Sequence, residues 1–177
     1  MTHNYQSPWF KEALELEGKL KINQLNTKET ADICIVGGGY TGLWTALKIK
    51  EKDPKVNIII IEKDLCGSGA SGRNGGCMIP LSSKFPAMEK IVGTKDAIRM
   101  VKASEEAINK ISDYCKLNEL DAQIRINGII YSATNNKQSG CFDNLTNQLK
   151  DNKINSWKKL SKEKIQKLTG SNRNIDG

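Results

Sequence analysis

The chain has 177 residues and a mass of 19.6 kDa, with 38% hydrophobic and 27% charged residues, a mean hydropathy of −0.49 and a formal net charge of +7. That is enough for one ordinary domain with its own core. No apolar run approaches the roughly 20 residues a membrane helix needs, and residues 1–10 lack a basic start followed by an apolar stretch, so the expectation is no membrane contact, no secretory leader and, by default, a cytoplasmic protein.

In chain order, Ser7-Pro8 reads as a helix start, a capping hydroxyl followed by proline at the first helical position. Trp9, Phe10, Ala13, Leu14 and Leu20 supply one apolar face. Residues 21–29 are polar and read as a linker, which makes residues 1–28 an N-terminal helical extension that packs on something else. Ala31-Asp32-Ile33-Cys34-Ile35-Val36 is an apolar run without polar alternation, suited to a strand buried on both faces. Three glycines follow at once. From Thr41 to Lys52 the residues Leu43, Ala46, Leu47 and Lys50 recur at helical spacing, and Asp53-Pro54 stops the helix. A second β-branched run occupies residues 56–61, completing a βαβ unit with a parallel sheet.

Residues 63–80 change character: Gly67, Gly69, Gly72, Gly75 and Gly76 crowd a short span with Ser68, Ser71 and Asn74. They read as a loop, or a loop opening a helix. Thr94 begins a long helix with Asp96 in its first turn, where the helix dipole favours a negative charge. Its apolar stripe is Ala97, Val101, Ile108, Ile111 and Tyr114. Ala122 to Ile126 alternates like a half-exposed strand, Asn127-Gly128 is a tight-turn signal, and Ile129 to Ala133 reads as another strand. Lys137 to Lys150 looks helical, with Gly140 weakening the pattern. Ser161 caps a last short helix that ends at Gly170.

The five cysteines, Cys34, Cys66, Cys77, Cys115 and Cys141, are odd in number and never at C-x-x-C spacing. They read as reduced, mostly buried thiols, with neither a disulfide framework nor a metal site. The densest basic patch, Lys158, Lys159, Lys162, Lys164 and Lys167, has no interleaved aromatics and reads as a solvated helix face, not a nucleic-acid surface. His3, the single histidine, lies outside any motif. Hydrolase constellations are absent, and no catalytic acid or base is nominated.

Gly37-Gly38-Gly39-Tyr40-Thr41-Gly42 matches G-x-G-x-x-G. Its context gives it weight: a buried strand precedes it, a helix follows, and Glu62 ends the second strand 20 residues after Gly42 (62 − 42). Gly37 turns the chain out of the strand, Gly39 lets a diphosphate approach the backbone, and Gly42 lets the helix pack close to the sheet. The helix-start amides, those of Tyr40 and Thr41 included, suit phosphate, and Glu62 can accept from ribose hydroxyls. A glutamate there argues against a 2′-phosphate and so against NADP.

The fingerprint alone does not separate FAD from NAD, but the stretch after it does. Glu62-Lys63-Asp64-Leu65-Cys66-Gly67-Ser68-Gly69-Ala70-Ser71-Gly72-Arg73-Asn74-Gly75-Gly76 inserts a second glycine-rich segment where an NAD domain proceeds to another helix and strand. Such a segment offers many backbone amides to a long ligand, and Arg73 can balance diphosphate charge.

At these residues the chain resembles FAD-dependent oxidoreductases of the D-amino-acid oxidase and glycine oxidase type, with G-A-S-G-R-N-G-G most similar to the γ-glutamylputrescine oxidase branch. The resemblance is specific over residues 31–77 and loose elsewhere in residues 8–170. It implies an α/β fold, a Rossmann-like FAD-binding βαβ over residues 29–80, and the start of an α+β substrate domain over residues 81–177. By it Gly37, Gly39, Gly42 and Glu62, with Tyr40 and Thr41, bind the ADP half of FAD. Lys63, Ala70, Ser71, Gly72, Arg73, Asn74, Gly75 and Gly76 line the pyrophosphate, ribityl and flavin side. It also implies oxidation of a small-molecule amine or amino acid to an imine by hydride transfer. Cys77 ends the second segment, but nothing in the sequence activates its thiolate for a covalent flavin link. The family's large substrate sheet and final FAD-contacting segment would lie beyond Gly177, so the expectation is an N-terminal piece of a longer polypeptide. An NAD-dependent dehydrogenase and a non-catalytic nucleotide-binding fragment stand as the alternatives.

Overall fold

The computed structural model describes residues 7–18 and 23–177; His3 and Leu20 lie outside the described residues. The chain forms two compact units, Met1–Cys77 and Met78–Gly177.

In the first unit, α1 spans Pro8–Glu17. Ser7 caps it by accepting from the Phe10 N–H at 3.1 Å, and Gly18, with φ 71°, ends it by donating to the Leu14 carbonyl. β1 (Ile33–Val36) and β2 (Ile58–Ile61) pair in parallel, with Ile33 opposite Ile58 and Val36 opposite Ile61. Below them the Asp32 carboxylate accepts from the Asn57 N–H at 2.8 Å and fixes that register. Between the strands runs α2, Tyr40–Lys52, which stops where the Asp53 N–H bonds to the Ile49 carbonyl ahead of Pro54. The βαβ unit expected from the apolar pattern is therefore present.

The expected burial of β1 on both faces is not. Ile33 and Ile35 are half-buried, Cys34 faces outward, and Val36 is 85% exposed. Ile35 meets α2, where a Cβ placed on Gly42 would lie 3.2 Å from its Cγ2. A two-stranded sheet covered by a helix on one face yields this alternation even from a continuous apolar run.

The second unit is built on α3, Phe85–Leu117, which breaks at Gly93 (φ 79°, ψ 163°) into two helical stretches. The stretch from Thr94 matches expectation; the one before it, opened by Pro86 in its first turn, does not appear in the sequence reading. α4 spans Asp143–Asp151 and α5 Lys162–Thr169. Phe85, Ala97, Val101, Leu149 and Ile154 form the core, ringed by Met88, Ile98, Leu145 and Trp157. Tyr131 stacks on Trp157 at 4.9 Å between ring centroids, and the Trp157 indole N–H donates to the buried Ser82 hydroxyl at 2.9 Å.

Three other expectations need correction, two of them in this unit and one across the chain. No strand forms over residues 122–126 or 129–133: Gln123 has φ 49°, a left-handed break inside the first, and among the described residues the second makes a single β-bridge, antiparallel from Ala133 to Asp176. A strand persists only where a second backbone satisfies its ladder. The helix expected from Lys137 starts at Asp143, because Gly140 (φ 75°) turns the backbone out of helical space and the Asp176 carboxylate holds that turn through the Gly140 N–H at 2.7 Å. The thiols are not buried. Cys34, Cys66, Cys77 and Cys141 are exposed on the open strand face and on loops, and Cys115 is half-buried; all are free.

α5 follows expectation at both ends. The Ser161 hydroxyl accepts from the Lys164 N–H, and Gly170 closes the helix in the left-handed conformation at φ 67°. Ser161→Ala should cost about 1 kcal/mol, and Leu149→Ala, at a fully buried site, about 2–5 kcal/mol. Urea unfolding of the two variants should show midpoints shifted in that order with unchanged m values.

Candidate functional site

The sharp exit from β1 is made by Gly37, whose φ of 108° no side chain tolerates well and whose N–H donates to the Ile61 carbonyl at 2.7 Å. At Gly42 a Cβ would collide with the Gly37 carbonyl oxygen, so a glycine is required there. Between them the Gly38 N–H donates to Glu62 Oε2 at 2.6 Å, and the Asp64 N–H donates to Glu62 Oε1 at 3.2 Å. The acid at the end of β2 thus holds the first turn directly. The Gly38 amide, followed by those of Asp64 and Lys63, lowers the Glu62 pKa from the ordinary glutamate range; desolvation opposes them.

The two glycine segments are joined. The Gly67 N–H donates to the Gly38 carbonyl at 2.9 Å, and the Tyr40 N–H donates to the Ser71 hydroxyl at 2.9 Å. A Cβ on Gly38 would lie 2.5 Å from the Cys66 Sγ, and one on Gly39 would lie 2.9 Å from the Ser71 Oγ. The room at Gly39 that the motif reserves for a diphosphate is therefore shared with a hydroxyl. Gly39 itself has no side chain to cap α2, and Ser71 supplies that acceptor from across the gap.

The remainder of the second segment is a short 3₁₀ turn, Ala70–Gly72. Asn74 organises its exit, donating to the Ser71 carbonyl at 2.6 Å and accepting from the Gly76 N–H at 2.8 Å. The Arg73 Nε donates to the Gly69 carbonyl at 3.2 Å while its side chain stays exposed, as does that of Lys63. Beyond the chain neighbours, no atom lies within 4 Å of a Cβ built on Gly37, Gly69, Gly75 or Gly76, so the space beside these four Cα atoms is open.

Gly37 to Gly42, Glu62 and Ser71 are thus drawn into one place, with Ala70 and Gly72 beside them. Lys63, Arg73, Gly75 and Gly76 stand on the surface around it. Sequence reasoning passed over Gly38 and Cys66, the residues where the two segments touch; the run of three glycines was the only signal for the first, and the second had none. It also left α1 without a partner. Ser7 donates to the Gly72 carbonyl, and the Phe10 ring lies against Gly67 and Gly72.

A helix N-terminus with its positive dipole end, glycines with open space beside them, two exposed cations and an ionised acid suit a phosphorylated nucleotide with a ribose. Among the described residues no group of three or more His, Cys, Asp or Glu side chains could hold a metal, and no helix is long and apolar enough to cross a membrane. A separate cavity of about 200 Å³ in the second unit, lined by Tyr131, Phe142 and Trp157, contains none of the expected site residues.

A family model described as FAD dependent oxidoreductase matches residues 32–177. Among curated proteins, gamma-glutamylputrescine oxidoreductase of Escherichia coli is 32% identical over 148 residues, 83% of this chain and 32% of that protein. "Probable oxidoreductase OrdL" of Haemophilus influenzae is 38% identical over 86 residues, 48% of this chain and 20% of that one. "Probable electron transfer flavoprotein-ubiquinone oxidoreductase, mitochondrial" of Saccharomyces cerevisiae is 36% identical over 63 residues, 32% of this chain and 10% of that protein. The chain spans about a third of the length of the first of these relatives. No solved structure matches it.

The lowered Glu62 pKa carries a sign. A group whose folded pKa is depressed adds stability that is present above its unfolded pKa and is lost as pH falls through the folded one. Acidification below the ordinary glutamate range should therefore loosen the Glu62–Gly38 link, and Glu62→Gln should flatten that part of the stability–pH curve of residues 1–77. Thermal unfolding between neutral pH and pH ~3, the range over which carboxylates protonate, checks this; equal acid-side slopes in both proteins would refute it.

Proposed function

The chain belongs to the FAD-dependent oxidoreductase family, and from that premise we propose that the substrate is a small-molecule amine or amino acid whose CH–NH bond is oxidised to an imine. Hydride leaves the carbon, a proton leaves the nitrogen, and water hydrolyses the resulting C=N bond. FAD, when bound, is the two-electron acceptor for that hydride and passes the electrons on to oxygen or another acceptor. Support for the amine comes from the 32% identity to a protein named for gamma-glutamylputrescine, itself an amine.

Under this reading the chain's own contribution is binding and orientation. The Thr41 amide in the first turn of α2 faces the diphosphate, beside the Tyr40 amide that the Ser71 hydroxyl holds, with Gly37, Gly39 and Gly42 keeping the backbone close. The Ser71 hydroxyl, accepting from Tyr40, has a proton to donate to a phosphate oxygen. Each Glu62 oxygen takes one amide and retains a lone pair for a ribose hydroxyl. Lys63 and Arg73 offset phosphate charge, while Ala70, Gly72, Asn74, Gly75 and Gly76 present backbone toward the ribityl and flavin side. Residues 81–177 form the helical segment and the beginning of the substrate domain. The joining of the two glycine segments through Gly38 and Ser71 is the observation that carries this site.

FAD titrated into the protein should quench flavin fluorescence, and Glu62→Ala should weaken that binding about tenfold or more, the cost of losing charged hydrogen bonds. Gly39→Val should abolish it, because its side chain takes the space of the Ser71 hydroxyl. In the longer polypeptide that the resemblance implies, with FAD bound, anaerobic addition of primary amines or amino acids should bleach the flavin band near ~450 nm, whereas the matching alcohols should not. Binding without bleaching by any amine would leave a nucleotide-binding chain, and bleaching by the alcohols alone would overturn the amine assignment.

A further inference from the structure

α1 reaches the second glycine segment through two side chains one turn apart. The Ser7 hydroxyl accepts from the Phe10 N–H at 3.1 Å and donates to the Gly72 carbonyl. A single hydroxyl thus uses its acceptor capacity on its own helix and its donor on the loop. Phe10 lies against the same loop: a Cβ on Gly72 would be 3.1 Å from its Cδ2, and one on Gly67 would be 3.6 Å from its Cε2. Residues 67–72 also carry the bonds to the first turn, from the Gly67 N–H to Gly38 and from the Tyr40 N–H to Ser71, each 2.9 Å. The segment is therefore held from two directions, by a helix and by the turn that begins another.

Left to itself, a stretch with Gly67, Gly69 and Gly72 would have little to keep it in one shape, since glycine has the most conformational freedom to lose. Its internal bonds are short-range and long, 3.3 Å from the Gly72 N–H to Gly69 and 3.2 Å from the Arg73 N–H to Ala70. Ordering such a loop at the moment of binding would weaken affinity, and ordering it beforehand spares that cost.

We propose that α1 is a clip, with Ser7 and Phe10 as positioning residues that hold residues 67–72 against the turn at residues 37–42 and so set the spacing of the two backbone surfaces that receive FAD. The inference rests on the FAD assignment, and neither residue touches the cofactor. It extends the function of the site to a helix outside both glycine motifs. It also separates two roles of Ser7. Aspartate caps a helix as well as serine does, but its carboxylate has no proton for the Gly72 carbonyl. Threonine retains both functions.

The test compares Ser7→Asp, Ser7→Thr, Phe10→Ala and the unaltered full chain. Two readouts are used: FAD affinity by fluorescence quenching, and amide hydrogen exchange at Gly67 and Tyr40 in the FAD-free protein. Ser7→Asp and Phe10→Ala should each weaken FAD binding about tenfold, the scale of one lost hydrogen bond or ring contact, and should speed exchange at both amides. Ser7→Thr should match the unaltered chain in both. Unchanged affinity in Ser7→Asp and Phe10→Ala, or weakened affinity with exchange unchanged, overturns the clip while the cofactor assignment stands. An unaltered chain that takes up no flavin overturns both the clip as a cofactor device and the assignment it rests on.

Discussion

The Gly38 peptide unit is bonded on both of its polar atoms to residues that come after the second strand: its N–H to the Glu62 carboxylate at 2.6 Å and its carbonyl to the Gly67 N–H at 2.9 Å. Gly38 is buried, and no side chain fits there beside Cys66. The constraint is steric first and electrostatic second. Only a residue without a Cβ lets the two segments approach, and the approach then places an ionised acid on a backbone amide at a helix N-terminus, where negative charge is favoured. The β1–α2 corner, the end of β2 and the second glycine segment are three parts of one arrangement because of this unit. The FAD site proposed above is built on this arrangement.

The second unit is organised by a different principle. Its core is aliphatic and aromatic, with Phe85, Val101 and Leu149 fully buried, and its polar groups are satisfied at the margins. The Trp157 indole takes the Ser82 hydroxyl, and the Asp176 carboxylate gathers the Gly140 N–H and the Ser139 hydroxyl. Those bonds, the Gly140 N–H first, lower the Asp176 pKa against desolvation. The basic cluster near the C-terminal end is partly compensated within the chain, since Lys159 pairs with Asp143 at 2.7 Å and its pKa is raised by that hydrogen bond. Exposed pairs of this kind contribute little to stability.

The N-terminal helix links local chemistry to the site. A serine ahead of a proline predicts a helix start, and the structure shows that the same hydroxyl reaches 65 residues along the chain to Gly72. Nothing in the spacing of Ser7, Phe10, Gly67 and Gly72 announces that contact, because it depends on where two segments meet and on neither one's own preference.

What the sequence determined by itself is everything governed by short-range sterics and hydrogen bonding. The cap at Ser7, the turn at Gly37, the βαβ order, the stop before Pro54, the Thr94 helix and the α5 ends at Ser161 and Gly170 all depend on a residue and its near neighbours. The glycine fingerprint and Glu62 were legible for the same reason: their spacing is dictated by one strand, one helix and one return. Tertiary structure alone decided the exposure of β1, the failure of residues 122–133 to form strands, the exposed thiols, and the closure of the two glycine segments on each other beneath α1. Burial and strand pairing are properties of the partners a segment finds, and an apolar run carries the capacity for a buried strand without specifying the second surface that would bury it.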